Sequence, residues 1–122
     1  MIMETDYKTQ QRSQYAEVYI SDIPQLKNIF LEIFKLESVN ENFGIPFLIL
    51  KKGSNIAAFA SLFIKDNKID FQIYQNSDLT INERAGFEKN AESYFRQNNS
   101  ANFRDVEQLK SSIIQMIDWL NI

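Results

Sequence analysis

The sequence predicts an α+β domain built on an antiparallel meander of three strands, with helices packed against it. Three apolar or alternating runs lie within residues 45–75 and are separated by two short polar turns, a pattern typical of such a meander. The first two runs are apolar on both faces, so we expect helices above and below them. Helical patterns before and after the meander supply these helices, and the predicted order is β-α-β-β-β-α-α.

The two turns fix the predicted register. Asp66-Asn67 is a two-residue loop of residues that tolerate positive φ, as a type I′ hairpin requires. Gly53 supplies a left-handed position for the other turn. The resulting pairs are Ile64 with Ile69, Leu62 with Phe71, and Ala60 with Ile73.

The third strand of the meander alternates between apolar and polar residues. Its residues at 69, 71 and 73 are predicted to be buried, and those at 70, 72 and 74 to be wet or to line a groove. We expect Phe71 to share one core with Phe30.

Residues 1–14 are polar, rich in Gln and aperiodic, and we interpret them as a disordered leader before a single domain of residues 15–122. Residues 15–20 alternate and predict the first strand, with Ala16, Val18 and Ile20 on one face. Ser21 is a natural N-cap for a helix over residues 22–36. The predicted inward stripe of this helix is Ile23, Leu26, Phe30, Ile33 and Phe34.

Two further helices are predicted after the meander. Thr80 and Glu83 have capping-box spacing before a helix over residues 81–97, and Asp105 precedes a helix over residues 106–121. Ile114 and Trp119 fall outside the apolar stripe of the last helix. They predict either burial within the chain or a surface for a protein partner or a homodimer formed through this C-terminal helix.

Composition excludes several classes of function. The 122 residues carry a formal net charge of −3, without a broad basic surface, so nucleic acid is not expected as a partner. The chain contains no Cys and no His, which removes thiolate catalysis and the commonest metal ligands, and no metal site is predicted. No apolar run is long enough to span a membrane, and we expect a cytoplasmic protein without a membrane partner.

Two phrases carry a resemblance to a known family. Ser21-Asp22-Ile23-Pro24 introduces the first helix, and Ile56-Ala57-Ala58-Phe59-Ala60 follows the first turn of the meander. Together with the order of elements, they resemble the GCN5-related N-acetyltransferase (GNAT) superfamily over roughly residues 15–97. This resemblance implies a fold in which the N-terminus of a helix after the meander holds the pyrophosphate of acetyl-CoA.

The resemblance also implies site residues. The stretch nearest to the cofactor loop of the family is residues 82–87, in which Arg84 and Gly86 correspond to cofactor-binding positions. Tyr74 and Asp70 are the candidate catalytic residues. The residues alone favour another interpretation, in which Gly86 gives close packing of a helix against the sheet, Arg84 is a surface charge, and Tyr74 is a half-buried aromatic residue of a strand.

Two functions follow from these patterns. The first is a small GNAT-like domain with a degenerate acetyl-CoA site that acts as a non-catalytic protein-interaction or ligand-binding module. The alternative is an acetyl-CoA-dependent N-acetyltransferase acting on an amine, which needs little acid–base machinery. A free helix N-terminus beside two splayed strands favours the enzyme. A capped helix and the lack of a fifth strand after Gln97 favour the module.

Overall fold

The computed structural model describes residues 13–76 and 79–122, in which four antiparallel strands form one sheet. The strands, in sheet order, are β1 (Ser13–Glu17), β2 (Ile45–Lys52), β3 (Asn55–Lys65) and β4 (Lys68–Gln75). The helices are α1 (Ile23–Phe34), α2 (Ile81–Gln97), α3 (Ala101–Arg104) and α4 (Val106–Leu120). Short 3₁₀ turns precede α1 (Ile20–Asp22) and β2 (Glu41–Phe43). The predicted α+β class is confirmed.

The predicted turns and register of the meander are confirmed. Asp66 and Asn67 have φ values of 53° and 62°, and Gly53 has a φ of 66°. The β3–β4 ladder pairs Leu62 with Phe71 and Ala60 with Ile73, as expected. A turn of two left-handed residues matches the twist of the flanking strands, which is why this local signal sets the pairing of the whole hairpin.

Helices cover both faces of the sheet, as the two-sided apolar strands predict. One core lies under α1, and we call it the α1-side core: Ile23, Leu26, Ile29, Phe30, Val39, Phe43, Ile49, Ile56, Phe59, Tyr74 and Leu120. The other lies under α2 and α4, and we call it the α2-side core: Phe47, Leu48, Leu50, Ala58, Ala60, Leu62, Phe87, Ala91, Leu109 and Ile113. The sheet is therefore the middle layer of three.

The α1-side core is closed at one end by the 3₁₀ turn before β2. Phe43 of this turn is buried, with its ring centroid 5.4 Å from that of Phe30 and 5.8 Å from that of Phe59. Gly44 follows with a φ of 67°, and a Cβ there would lie 2.0 Å from the backbone oxygen of Leu62. Only glycine permits this approach of the turn to β3.

The prediction that Phe30 and Phe71 share a core is wrong. Phe30 belongs to the α1-side core, whereas Phe71 packs against the α2-side core, where its ring lies 5.9 Å from that of Phe47. Alternate residues of β4 do face opposite sides of the sheet, as predicted, but residues 69, 71 and 73 are only half-buried, and a sheet covered on both faces offers two cores. Because the pattern has no information on which helix covers which face, the partner of Phe71 could not be read from it.

The predicted bounds of the first strand and the predicted buried stripe of α1 are also corrected. β1 begins at Ser13, inside the predicted leader, and ends at Glu17, so Ile20 lies in the 3₁₀ turn and is 77% exposed. The rest of the predicted leader lies outside the described residues. Phe34 and Ile33, predicted to face the core, are 46% and 36% exposed. The last turn of α1 lies over β4, an edge strand that has no outer neighbour among the described residues to complete the cover.

The C-terminal region agrees with its predicted helices and adds one. α3 occupies part of the stretch between α2 and α4, and no strand follows Gln97 in the described chain. The side chain of Asp105 accepts from the N–H groups of Glu107 and Gln108 and caps α4. At the other end of α4, Asn121 exchanges two hydrogen bonds of 2.9 Å with the backbone of Val39, which anchors the helix beside the α1-side core.

Candidate functional site

The N-terminus of α2 is the place where the resemblance expects an anion. Thr80 is the N-cap, and its Oγ1 accepts from the N–H of Glu83 at 3.0 Å. The carboxylate of Glu83 accepts in return from the N–H of Thr80 at 3.0 Å, which completes a capping box. Two of the donors that a helix start offers to an anion are thus bonded within the chain.

Glu83 also brings a fixed negative charge to this helix end. Its carboxylate lies 3.2 Å from the Nζ of Lys52 and 3.3 Å from the Oγ of Ser13. The hydrogen bond from the backbone of Thr80 is the largest cause that lowers the pKa of Glu83. Desolvation opposes it, and the hydrogen bond and charge of Lys52 and the hydrogen bond of Ser13 lower the pKa further. A carboxylate that stays ionised at a helix start interacts with the positive end of the helix dipole, as the phosphate group of a ligand would.

The two candidate cofactor-binding residues point to different neighbours. Arg84 donates to Oε1 of Gln75 at 2.6 Å and to Oε2 of Glu88 at 3.1 Å. Gly86 lies inside α2 against β1, where an added Cβ would lie 2.8 Å from the hydroxyl oxygen of Tyr15. Positions i and i+2 of a helix do not share a face, so α2 does not bring Arg84 and Gly86 together.

The candidate catalytic residues are also separated. Tyr74 lies in the α1-side core, with its ring 5.5 Å from that of Phe30, and its hydroxyl donates to the backbone oxygen of Asn42. Burial raises the pKa of Tyr74 well above its usual range. Asp70 is exposed, four residues away on the same strand face, which corresponds to roughly 13 Å along a strand. The prediction that position 74 is wet is therefore wrong, since α1 covers it.

The outer edge of β4 is a feature that the sequence analysis missed. Because Lys65 and Lys68 flank a two-residue turn, they form a hydrogen-bonded pair, and every second residue of β4 bonds to β3. The N–H groups of Gln72 and Tyr74 therefore point to β3, whereas those of Ile69, Phe71 and Ile73 point away from it. No strand of the described residues pairs with this outer side.

Side chains border this edge on both faces of the sheet. On the α2 side, a groove of about 440 Å³ runs along β4 and is lined by Phe71, Gln72, Ile73, Arg84, Glu88 and Glu92. On the α1 side, the exposed ring of Phe34 lies 5.6 Å from that of Tyr74. Apolar surface and backbone hydrogen-bonding groups thus lie side by side, which is the combination that strand addition uses.

The side chain of Asp70 accepts a hydrogen bond from one of the outward N–H groups of β4. Its Oδ1 accepts from the N–H of Phe71 at 2.8 Å. A charged side chain on an edge strand limits unwanted pairing with other chains. The two-residue turn in the sequence already determines which amide groups of β4 point away from β3. The sequence pattern does not show the order of the strands, which leaves these groups without a neighbouring strand.

A second groove, which we call the α4 groove, lies between the middle of α4 and the end of β3. It has a volume of about 400 Å³ and is lined by Glu41, Asn42, Phe63, Ile64, Lys110, Ile113, Ile114 and Ile117. β2 begins opposite Leu62, so the end of β3 projects past β2 and forms the floor of this groove. Ile114, predicted to lie off the core stripe, is 59% exposed at this groove.

Within residues 13–76 and 79–122, no group of three or more acidic side chains could hold a metal ion. No helix in the described part of the chain combines the length and hydropathy needed to cross a membrane. Comparisons of the chain with protein-family models, with curated protein sequences and with solved structures found no match.

Proposed function

We propose that this chain is a small GNAT-like interaction module with a degenerate acetyl-CoA site, which binds an extended segment of a protein at the outer edge of β4. One observation carries the proposal: the outward backbone groups of Ile69, Phe71 and Ile73 pair with no strand in the described chain. They are bordered by the exposed ring of Phe34 and by the half-buried side chains of Phe71 and Ile73. An added strand would satisfy these groups and bury Phe34 and the wall of the groove.

The alternative function, transfer of an acetyl group from acetyl-CoA to an amine, has less support. The helix start that would hold the pyrophosphate carries the carboxylate of Glu83, which repels an anion. Arg84 is engaged by Gln75 and Glu88. The hydroxyl of Tyr74 is engaged by Asn42 inside the molecule, away from any reacting amine.

The α4 groove is a weaker candidate for the same role. Its apolar residues could accept a side chain of a partner or a small apolar ligand, and its volume of about 400 Å³ lies within the range of ligand pockets. The β4 edge is favoured because it offers a row of oriented backbone groups in addition to apolar contact. These groups supply both affinity and register.

Amide hydrogen exchange measured by NMR tests whether the outward N–H groups of β4 are unpaired. Exchange rates are measured at several protein concentrations and extrapolated to high dilution. At that limit the N–H groups of Ile69 and Ile73 should exchange roughly a hundredfold faster than those of Gln72 and Tyr74. Equal protection of the two sets would mean that the edge is already covered, and would overturn the proposal.

Titration of the same protein with acetyl-CoA tests the alternative. The module predicts no chemical-shift change at residues 79–86 up to millimolar acetyl-CoA. A ligand that binds the native state at a hundredfold excess over Kd raises its stability by roughly 2.7 kcal/mol. A thermal shift of this size that is lost in Arg84→Gln would establish the cofactor site and favour the acetyltransferase.

A further inference from the structure

We infer that the segment taken up by the β4 edge is the β4 strand of a second copy of this chain, paired antiparallel about a two-fold axis at Phe71. This inference rests on the proposed function and names its partner. The result would be a continuous sheet of eight strands across a symmetric dimer. Two-fold symmetry is the commonest arrangement of soluble homo-oligomers.

The apolar side chains of β4 are complementary to themselves in this register. With the axis at Phe71, this residue lies opposite Phe71 of the second copy, and Ile69 lies opposite Ile73 of the second copy. These are the residues whose backbone groups point outward, so each pair exchanges two backbone hydrogen bonds. Cross-strand pairs of aromatic and β-branched residues stabilise antiparallel sheets.

The charged residues favour the same register. On the other face, Asp70 lies opposite Gln72 of the second copy, and Lys68 lies opposite Tyr74 of the second copy, so no like charges oppose each other. An axis at Asp70 would set two carboxylates against each other, which is destabilising. An axis at Gln72 would set Ile69 opposite Gln75 and lose an apolar pair.

The exposed end of α1 would contact the second copy in this dimer. Phe34 lies against Tyr74, and this residue is 46% exposed on the monomer. Lys68 of the second copy would lie opposite Tyr74, so its aliphatic stem reaches the exposed ring while its ammonium group stays in water. The contact extends the interface from the backbone of β4 to the surface of α1.

Asp70 sets the strength of the association. Its carboxylate holds the N–H of Phe71 at 2.8 Å, and this bond must be exchanged for one to the second copy. Because the axis passes through Phe71, Asp70→Ala releases two donors for each dimer. We expect this variant to dimerise roughly tenfold more tightly than the natural chain.

Sedimentation equilibrium over a wide range of concentration measures the association. The natural chain should show a monomer–dimer equilibrium, and Ile73→Pro should weaken it at least roughly tenfold relative to Ile73→Ala, since proline removes two intermolecular N–H donors per dimer. Ile114→Gln, in the α4 groove, should leave it unchanged. A dimer that is lost in Ile114→Gln and kept in Ile73→Pro would place the interface on α4 and overturn the inference.

Disulfide trapping tests the register, and the absence of cysteine from the chain makes each introduced thiol unique. Asp70 and Gln72 of the second copy form a non-hydrogen-bonded pair, for which the Cα distance is about 4.5 Å. An equimolar mixture of Asp70→Cys and Gln72→Cys chains should therefore give a cross-linked heterodimer on mild oxidation. Each variant alone should give little, because equivalent residues lie roughly 7–8 Å apart, beyond disulfide reach.

The remaining outcomes are equally decisive. Rapid cross-linking of Gln72→Cys alone would move the axis to Gln72 and contradict the register. A mixture that cross-links no faster than a Glu107→Cys chain, whose thiol lies on the far surface of α4, would overturn the dimer. A chain that stays monomeric at high concentration, with fast exchange at Ile69 and Ile73, would remove the second copy as partner and leave the proposed function standing.

Discussion

The N-terminus of α2 and the outer edge of β4 both present backbone N–H groups, but the chain uses them differently. At the helix start, Thr80 and Glu83 bond to each other's backbone, and the Nζ of Lys52 lies 3.2 Å from the Glu83 carboxylate. Along the edge strand, Asp70 holds one donor and the neighbouring outward donors face no strand of the described chain. A helix end closed by its own side chains stabilises the fold, whereas an edge left unpaired is available to another chain.

The largest expected effect on stability comes from proline substitutions, which should differ between the side of β4 that bonds to β3 and the outer side. Gln72→Pro removes an N–H that points to β3, opposite Ser61, whose backbone lies in a fully buried part of the sheet. We expect a loss of about 3 kcal/mol in the free energy of unfolding. Ile73→Pro should cost only slightly more than Ile73→Ala, because its N–H points outward.

Urea denaturation of the monomer measures the free energies of unfolding of Gln72→Pro and Ile73→Pro and of their side-chain controls Gln72→Ala and Ile73→Ala, with the natural chain as reference. If the two proline variants lost equal stability beyond their side-chain controls, the assignment of inward and outward amides would be wrong. The contrast between a paired and an unpaired side of β4 would then disappear.

A smaller effect is expected at the helix start. Thr80→Ala removes the side-chain oxygen that accepts from Glu83, and should lower the free energy of unfolding by about 1 kcal/mol. Thr80→Ser keeps the acceptor and should stay close to the natural chain. If Thr80→Ala were neutral, the N-terminus would not depend on its own cap, and the case for an anion at this position would be stronger.

The smallest expected effect is the pH dependence due to Glu83. Its folded pKa lies below the ordinary value of 4.5, so its stabilising effect is complete above that value and is lost as the pH falls through the folded pKa. Between pH 7 and pH 3, the melting temperature of the natural chain should therefore fall further than that of Glu83→Gln. Parallel curves would show that the Glu83 carboxylate contributes nothing to the closed helix start.

Local patterns determined much of this fold from the sequence alone. The Asp66-Asn67 turn set the β3–β4 register, and the spacing of Thr80 and Glu83 set the start of α2. These features depend on residues close together in the chain, whose backbone preferences act before any tertiary contact forms. The sequence also indicated Gly86 as a residue of close packing, which agrees with its position against Tyr15, although that neighbour comes from the tertiary structure.

Tertiary structure alone decided which residues meet across the sheet. The separation of Phe30 from Phe71, the burial of Tyr74 and the exposure of Phe34 all depend on which helix covers which face and on where each helix runs beyond the sheet. The edge position of β4 follows from the order of the four strands, and no short stretch of sequence determines that order. Alternation tells which side chains of a strand share a face, but only the packed molecule tells what lies on that face and whether the strand has a neighbour.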